Sequence, residues 1–251
     1  MEFLVNIFNT ILYQPLFNIL IVFYQYLPGH DFGIAIIALT LFVRIILYPV
    51  MMQSIRSQKK IQDIQPKIQE IQEKYKDDKE KQAKAVMEIY KESKVNPFGG
   101  CLPLLLQLPI LIALYRVFWN SFQIDPALIY SFIPLPKTLD PLFLGIIDLS
   151  RPNIIFAILA GIGQYFQAKT SFAKVSKKAK KGENQMSQFS GMMQKQMLYF
   201  FPAFTFFILL RLPAALGLYW TINVLFSIFQ QHLIYKPDKS KEESNHGTIK
   251  S

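Results

Sequence analysis

One cysteine, Cys101, stands in 251 residues, which excludes an internal disulfide and a thiolate-built metal cluster. Histidine is nearly as scarce: His30, His232 and His246 are scattered, and the chain contains neither an H-E-x-x-H nor a G-x-S-x-G pattern. With no histidine sharing a face with a carboxylate or nucleophile, catalysis has no support, and neither a metal nor a cofactor is expected. Lysine and arginine are absent from residues 1–32. Met1-Glu2-Phe3 opens without a cation, so a cleavable signal of the usual form is not expected either. Acidic residues are missing from every long apolar stretch. The net charge of +10 comes with no stacking motif or zinc site, so no specific nucleic-acid partner is indicated.

What fills the chain is apolar. Hydrophobic residues make up 51% of it and aromatic ones 14%, with 22 phenylalanines. A soluble protein of this size could not hide that much apolar surface in one core. The apolar residues are clumped into long blocks separated by basic segments, the pattern of membrane spans and their loops.

Residues 1–32 form an extracytoplasmic unit in which Phe3 to Leu27 is apolar but broken by Asn6, Asn9, Gln14, Pro15, Asn18 and Gln25. Each amide costs roughly 1–3 kcal/mol if buried unpaired, so a helix lying in the membrane interface is favoured over a span. A five-span core covers 33–235. The first span, Gly33 to Met52, carries one charge, Arg44. A cytoplasmic helical hairpin fills 53–96: Ile61, Ile64, Ile68, Ile71 and Tyr75 form one stripe, and Ala83, Val86, Met87 and Tyr90 begin another. Its arms offer few apolar residues for contact with the spans. Pro66 is expected to kink or restart the first arm. The further spans are Cys101 to Trp119, Asn153 to Gln167, Met197 to Leu212 and Ala214 to Tyr235. A basic loop, 168–196, precedes the fourth, and a disordered tail, 236–251, ends the chain. The third span would cover only about 23 Å of a roughly 30 Å core, implying local thinning of the bilayer.

Cations set the orientation. Eleven lie in 53–96, seven in the basic loop counted through Lys195, and four in the tail, against Lys137 and Arg151 in the long loop after the second span. The positive-inside rule then makes the hairpin, basic loop and tail cytoplasmic and leaves the N-terminus outside.

Arg44 is the most informative residue. It lies about 12 Å from the cytoplasmic end of its span at ~1.5 Å per residue. An intramembrane arginine normally finds a carboxylate; none is available in the spans, so the expected solution is hydration in a groove open to the cytoplasm. Polar stripes on other spans match it: Trp220, Asn223, Ser227 and Gln230 on the fifth, Thr40, Arg44 and Tyr48 on the first, and Gln164 beside Gln167 on the third.

An ordered series of motifs resembles the YidC family of membrane insertases: Tyr13-Gln14-Pro15-Leu16, Asp31-Phe32-Gly33, Leu41-Phe42-Val43-Arg44, Asn96-Pro97-Phe98-Gly99-Gly100-Cys101-Leu102-Pro103, Gln107-Leu108-Pro109-Ile110, and Leu218-Tyr219-Trp220 followed by Gln230-Gln231. The resemblance covers roughly residues 10–236. It implies an all-α integral membrane protein whose five transmembrane helices surround a cytoplasm-open polar groove closed on the outer side. The family's intramembrane arginine falls on Arg44, and its groove-lining glutamine and aromatic fall on Gln164 and Trp220. Neither the large extracytoplasmic domain of some members nor the lipoprotein-type N-terminus of others is expected from the residues before Phe32.

The resulting reading is an insertase in the bacterial cytoplasmic membrane that works without nucleotide. Its substrate groove would comprise Arg44, Thr40, Gln164, Gln167, Trp220, Asn223 and Ser227. Its partners would be nascent membrane proteins and the lipid bilayer, with the ribosome and the Sec translocon as further candidates. A small-solute transporter or channel, and an assembly chaperone for membrane complexes, are the competing readings.

Overall fold

The computed structural model describes residues 2–96, 102–121, 124–134, 136, 138–172 and 195–235. Residues 97–101, most of the basic loop and the tail lie outside the described residues. Helices dominate: α1 (Glu2–Tyr26), α2 (Phe32–Ile46), α3 (Tyr48–Lys74), α4 (Lys79–Glu92), α5 (Leu102–Asn120), α6 (Ile154–Phe172), α7 (Phe201–Leu209) and α8 (Ala214–Tyr235). A two-stranded antiparallel hairpin, β1 (Leu142–Phe143) with β2 (Ile147–Asp148), interrupts them.

Prolines explain the irregular turns. A π turn at Asn9–Tyr13 ends two residues before Pro15, and another at Gln196–Phe200 ends two residues before Pro202. Each proline withholds an N–H from the helical ladder, and each π turn is closed by a bond reaching back five residues, Gln14 N–H to Asn9 O and Phe201 N–H to Gln196 O. At Pro66 the helix does not restart, for α3 runs through it as one element. The sharp bend falls instead at Leu47, where α2 and α3 meet at 66°. Pro49 is the second residue of α3, where a missing N–H costs little. The expected first span therefore ends as a helix at Ile46, and the hairpin's first arm begins at Tyr48, five residues earlier than the sequence suggested.

The third expected span is also redrawn. Helix α6 continues to Phe172, 19 residues or about 28 Å at ~1.5 Å per residue, which removes the mismatch argument for a thinned bilayer. The fifth expected span coincides with α8 from Ala214 to Tyr235.

Among the described residues, α1 alone is long and apolar enough to cross a membrane by length and composition; the α2–α3 pair qualifies only jointly across its bend. The segments Leu105–Asn120 and Gln196–Leu209 are shorter apolar helices. Exposed apolar side chains are abundant on these helices, including Ile45, Leu105, Ile162, Phe204, Phe207 and Phe229. Such a surface suits lipid, not water.

The core is concentrated at one end. Phe17 and Leu20 of α1, Phe32 and Ile36 of α2, Phe118 of α5 and Leu216 of α8 are fully or almost fully buried in one cluster. Asp31 fixes this end: one carboxylate oxygen caps α2 by accepting from Ile34 N–H at 2.9 Å, and the other accepts from Leu144 N–H at 2.5 Å. That second bond holds Leu144 at φ +52° in the β-hairpin turn. Phe143 then lies so close to Gly33 that a Cβ there would sit 2.1 Å from the ring. The Asp31-Phe32-Gly33 motif thus joins α2 to the hairpin.

Four of the five amides that interrupt α1, all but Asn6, find partners in the same region. Asn18 Nδ2 donates to Leu128 O and its Oδ1 accepts from Tyr130 N–H, both at 2.8 Å. Gln14 donates to Leu128 O and Gln25 to Pro134 O, while Tyr24 Oη accepts from Asp140 N–H. Near the start of α1, Asn9 Oδ1 accepts from Arg116 Nη1 at 2.8 Å, and the Arg116 guanidinium lies 4.5 Å from the Tyr13 ring centroid. All these partners fall between residues 116 and 140, so α1 rides along the end of α5 and the loop after it.

Candidate functional site

The site is assembled where α2 and α8 cross. Helix α8 changes character along its length. Its first part, from Ala214 through Tyr219, is buried at every residue, while Asn223, Ser227, Gln230 and Gln231 bring polar groups to its second part. Gly217 permits the approach of α6, because a Cβ there would meet Phe156 Cβ at 2.8 Å. The start of α8 is fixed by backbone bonds from Ala214 N–H to Arg151 O and from Ala215 N–H to Leu149 O, at 2.9 and 3.0 Å.

Arg44 reaches from α2 into that polar half and is 6% exposed. Its Nε donates to Asn223 Oδ1 at 2.7 Å, and its Nη2 donates to Asn223 O at 2.7 Å and to Ser227 Oγ at 2.6 Å. Its Cζ lies 5.7 Å from the Phe226 ring centroid. Ser227 Oγ donates in turn to Asn223 O at 2.9 Å. Of the five guanidinium N–H groups, three are engaged; both hydrogens of Nη1 are left without a partner among the described residues. No carboxylate pairs with Arg44 there. The hydrated arginine expected from sequence is in the structure a buried arginine held by neutral dipoles: its donors are largely satisfied and its charge is not cancelled.

The other expected site residues divide. Gln164 and Trp220 meet directly, with Trp220 Nε1 donating to Gln164 Oε1 at 3.2 Å. Trp220 lies one turn before Asn223, which places this pair beside the arginine cluster along α8. Thr40 does not join: its hydroxyl donates to Ile36 O of its own helix at 2.7 Å and is buried. Gln167 contributes its backbone carbonyl to Ser171 Oγ and makes no side-chain bond among the described residues. Gln230 is fully buried, with neither amide atom partnered among the described residues.

Two features escaped sequence reasoning. Tyr219, 2% exposed, accepts a hydrogen bond from Gln107 Nε2 and so ties α5 to α8 one turn before the arginine cluster. The signal was available, because Gln107 interrupts an apolar helix and Tyr219 precedes Trp220. Arg116 is a second arginine inside an apolar helix, and its pairing with Asn9 and Tyr13 explains why α1 carries an amide there.

A protein-family model described as 60Kd inner membrane protein matches residues 22–242. A Membrane protein insertase YidC of Geobacter metallireducens is 38% identical over 229 residues, covering 90% of this chain and 37% of that protein. The proteins of the same name from Aeromonas salmonicida and Shewanella loihica are 35% and 37% identical, covering 91% and 86% of the chain. The chain belongs to the 60Kd inner membrane protein family, called the YidC family here after those relatives. It spans a little over a third of the length of these YidC relatives, 37%, 37% and 35%. Arg44, Gln107, Gln164, Tyr219, Trp220, Asn223 and Ser227 all lie inside the part of the chain that the YidC family model matches.

Proposed function

We propose that this chain is an insertase core of the bacterial cytoplasmic membrane that integrates hydrophobic segments of nascent proteins without hydrolysing nucleotide. The observation that carries this reading is Arg44: a buried cation in an apolar helix, bonded to Asn223 and Ser227, with no carboxylate partner among the described residues. An ion pair would bury the charge without effect on its surroundings. Neutral partners hold the guanidinium in place and leave its field acting on whatever enters beside α8.

In this reading α2, α5, α6, the segment Gln196–Leu209 and α8 are the five spans. The N-terminal helix lies along the outer face and the α3–α4 hairpin is cytoplasmic. The bonds from Gln14, Asn18 and Gln25 to the loop after α5 support the interfacial placement of α1. The polar half of α8 and the Gln164–Trp220 pair form the groove. An incoming apolar segment lies against the exposed side chains of α6 and α7, while its polar flank is held briefly near the free Nη1 of Arg44. Transfer into lipid, at roughly 25 cal/mol per Å² of apolar surface, drives release. Nascent membrane proteins are the substrates, and the ribosome and Sec translocon are candidate partners on the basic cytoplasmic side.

Crosslinking tests this directly. A stalled nascent chain with an acidic flank should crosslink to a cysteine placed at Tyr48, four residues from Arg44 and just past the bend at Leu47, in a Cys101→Ser background. Crosslinking no stronger than that of a cysteine at Phe207, on the lipid-facing side, would remove the groove from the mechanism. The topology has its own check: cysteines at Ser93, Ser176 and Ser244 should resist an impermeant thiol reagent in intact cells, and one at Ser131 should react.

A further inference from the structure

A cleft of about 450 Å³ lies away from the Arg44 cluster, where the first turns of α3 pass the end of α8. It is lined by Arg56, Lys59, Lys60 and Asp63 together with the apolar Met52, Leu233 and Ile234. Lys59 is fixed in it: Nζ donates to Ile234 O at 2.7 Å, neutralising one of the carbonyls left open at the end of α8. Gln62 Nε2, donating to Tyr235 Oη at 3.2 Å, adds a second tie between the same two helices. The cleft is therefore built into the junction of α3 with α8, through polar ties and not the apolar contacts that the sequence makes scarce. Three cations against one carboxylate leave it with an excess of two positive charges, and none of the four charged residues forms an ion pair among the described residues.

Its depth follows from α8. Asn223, the partner of Arg44, is near the middle of that helix. Leu233 is ten residues further on, about 15 Å at ~1.5 Å per residue, which is half of a roughly 30 Å hydrocarbon core. With α8 spanning as proposed above, the apolar lining of the cleft reaches the edge of the hydrocarbon, which puts Arg56 and Lys60 at headgroup level. An amphiphile with an anionic head matches this arrangement; an acidic peptide would leave Met52, Leu233 and Ile234 unused.

We propose that this cleft binds the headgroup of an anionic phospholipid of the cytoplasmic leaflet, with Arg56 and Lys60 on the phosphodiester and Met52, Leu233 and Ile234 against the first acyl carbons. Both the headgroup depth and the leaflet assignment rest on the five-span topology proposed above; the charge and apolar lining of the cleft do not. A bound lipid would fill the angle between α3 and α8 and set how the hairpin leaves the membrane.

The test uses the full chain carrying Cys101→Ser and His232→Cys, labelled on the introduced thiol with a fluorophore and reconstituted in phosphatidylcholine vesicles. Brominated phosphatidylglycerol or brominated phosphatidylcholine is added at matched mole fraction and quenching is measured. Phosphatidylglycerol should quench at a mole fraction on the order of tenfold lower, since each cation near an anionic headgroup contributes about fivefold. Arg56→Gln with Lys60→Gln should abolish that preference, Arg56→Lys with Lys60→Arg should keep it, and Lys84→Gln with Lys91→Gln, on the distant hairpin arm, should leave it intact. Equal quenching by the two lipids in the unaltered cleft overturns the proposal. So does a loss of preference in the Lys84/Lys91 variant matching that in the Arg56/Lys60 variant. Displacement of the phosphatidylglycerol by oligoglutamate would assign the cleft to an acidic peptide instead. Because no insertion is measured, failure here is distinct from failure of the insertase reading.

Discussion

Replacing Arg44 separates what the arginine does for folding from what it does for insertion. Burying a cation without a carboxylate is costly, and its removal can be neutral or even stabilising when neighbouring dipoles can pair with each other. They can here, because Ser227 Oγ already donates to Asn223 O. Arg44→Met, close in volume and uncharged, is therefore expected to unfold at or above the temperature of the unaltered protein. Arg44→Lys should be worse. It keeps the buried charge but presents one nitrogen where Nε and Nη2 now make three bonds at 2.6–2.7 Å. Losing one charge-assisted bond costs about 1.5–3 kcal/mol, or about 3–12 °C in Tm for a chain of this length. Insertion per folded molecule should rank the other way. Arg44→Lys should retain much activity because the charge persists, while Arg44→Met should lose it for substrates with acidic flanks and lose less for matched neutral ones. Thermal unfolding in detergent and insertion into vesicles, normalised to folded protein, give the two rankings. If Arg44→Met is the less stable variant, and both substrates fall in proportion to folded protein, Arg44 is a packing residue and the electrostatic reasoning fails.

Three further outcomes follow from the packing. Gly217→Ala forces a Cβ to within 2.8 Å of Phe156 Cβ, so α6 and α8 must separate, at about 1–3 kcal/mol, seen as a lowered Tm. Asn18→Leu leaves the Tyr130 N–H unpaired, costs about 1–3 kcal/mol and should speed hydrogen exchange in α1 ahead of α8. At the hairpin tip, the Lys81 backbone N–H and then its ammonium hold the Asp78 carboxyl below the usual carboxylate range. A depressed folded value means the cap is fully present above the ordinary carboxylate pKa and lost as pH falls through the lower folded one. Exchange of the Lys81 amide should therefore rise in acid, beyond the intrinsic trend, and Asp78→Asn should remove that step.

Much of the helical layout was legible because apolar blocks and cation clusters are long-range averages that survive local error. Helix α8 begins and ends where its apolar run does. The differences are local: the end of α6, and two positions where proline is involved. The sequence predicts a kink or a restart at Pro66, yet α3 does not restart there because a surface helix can absorb one missing bond, while the 66° bend at Leu47 precedes Pro49, where the run of hydropathy continues unbroken. The Asn223–Ser227 partnership with Arg44 was visible as a stripe, since a period of 3 and 4 reports which face a residue occupies. It could not report that the stripe would satisfy the guanidinium directly, because sequence gives the face and not the reach. Thr40 failed for a related reason: a threonine within a helix can return its hydroxyl to the carbonyl four residues back, and the pattern is the same whether it does or not. The partners of the α1 amides lie more than a hundred residues away, at the end of α5 and in the loop after it, so nothing local pointed to them.

The choice of neutral partners for Arg44 can itself be tested. Asn223→Asp keeps the shape of the side chain and turns its Oδ1 contact at 2.7 Å into an ion pair. Two unit charges at about 4 Å in a medium of effective dielectric near 20 attract by about 4 kcal/mol, offset by the cost of burying the new carboxylate. Stability should therefore change little or rise. The field beyond the pair should fall, because an arginine with a carboxylate on Nε no longer presents a net charge through Nη1. Insertion of substrates with acidic flanks should drop towards the level of Arg44→Met, and substrates with neutral flanks should be spared. A packing role for Arg44 predicts the reverse, since a tighter α2–α8 contact would leave all substrates unaffected or improved. Full activity of Asn223→Asp on acidic flanks, at unchanged amounts of folded protein, would show that uncancelled charge is not what the groove supplies.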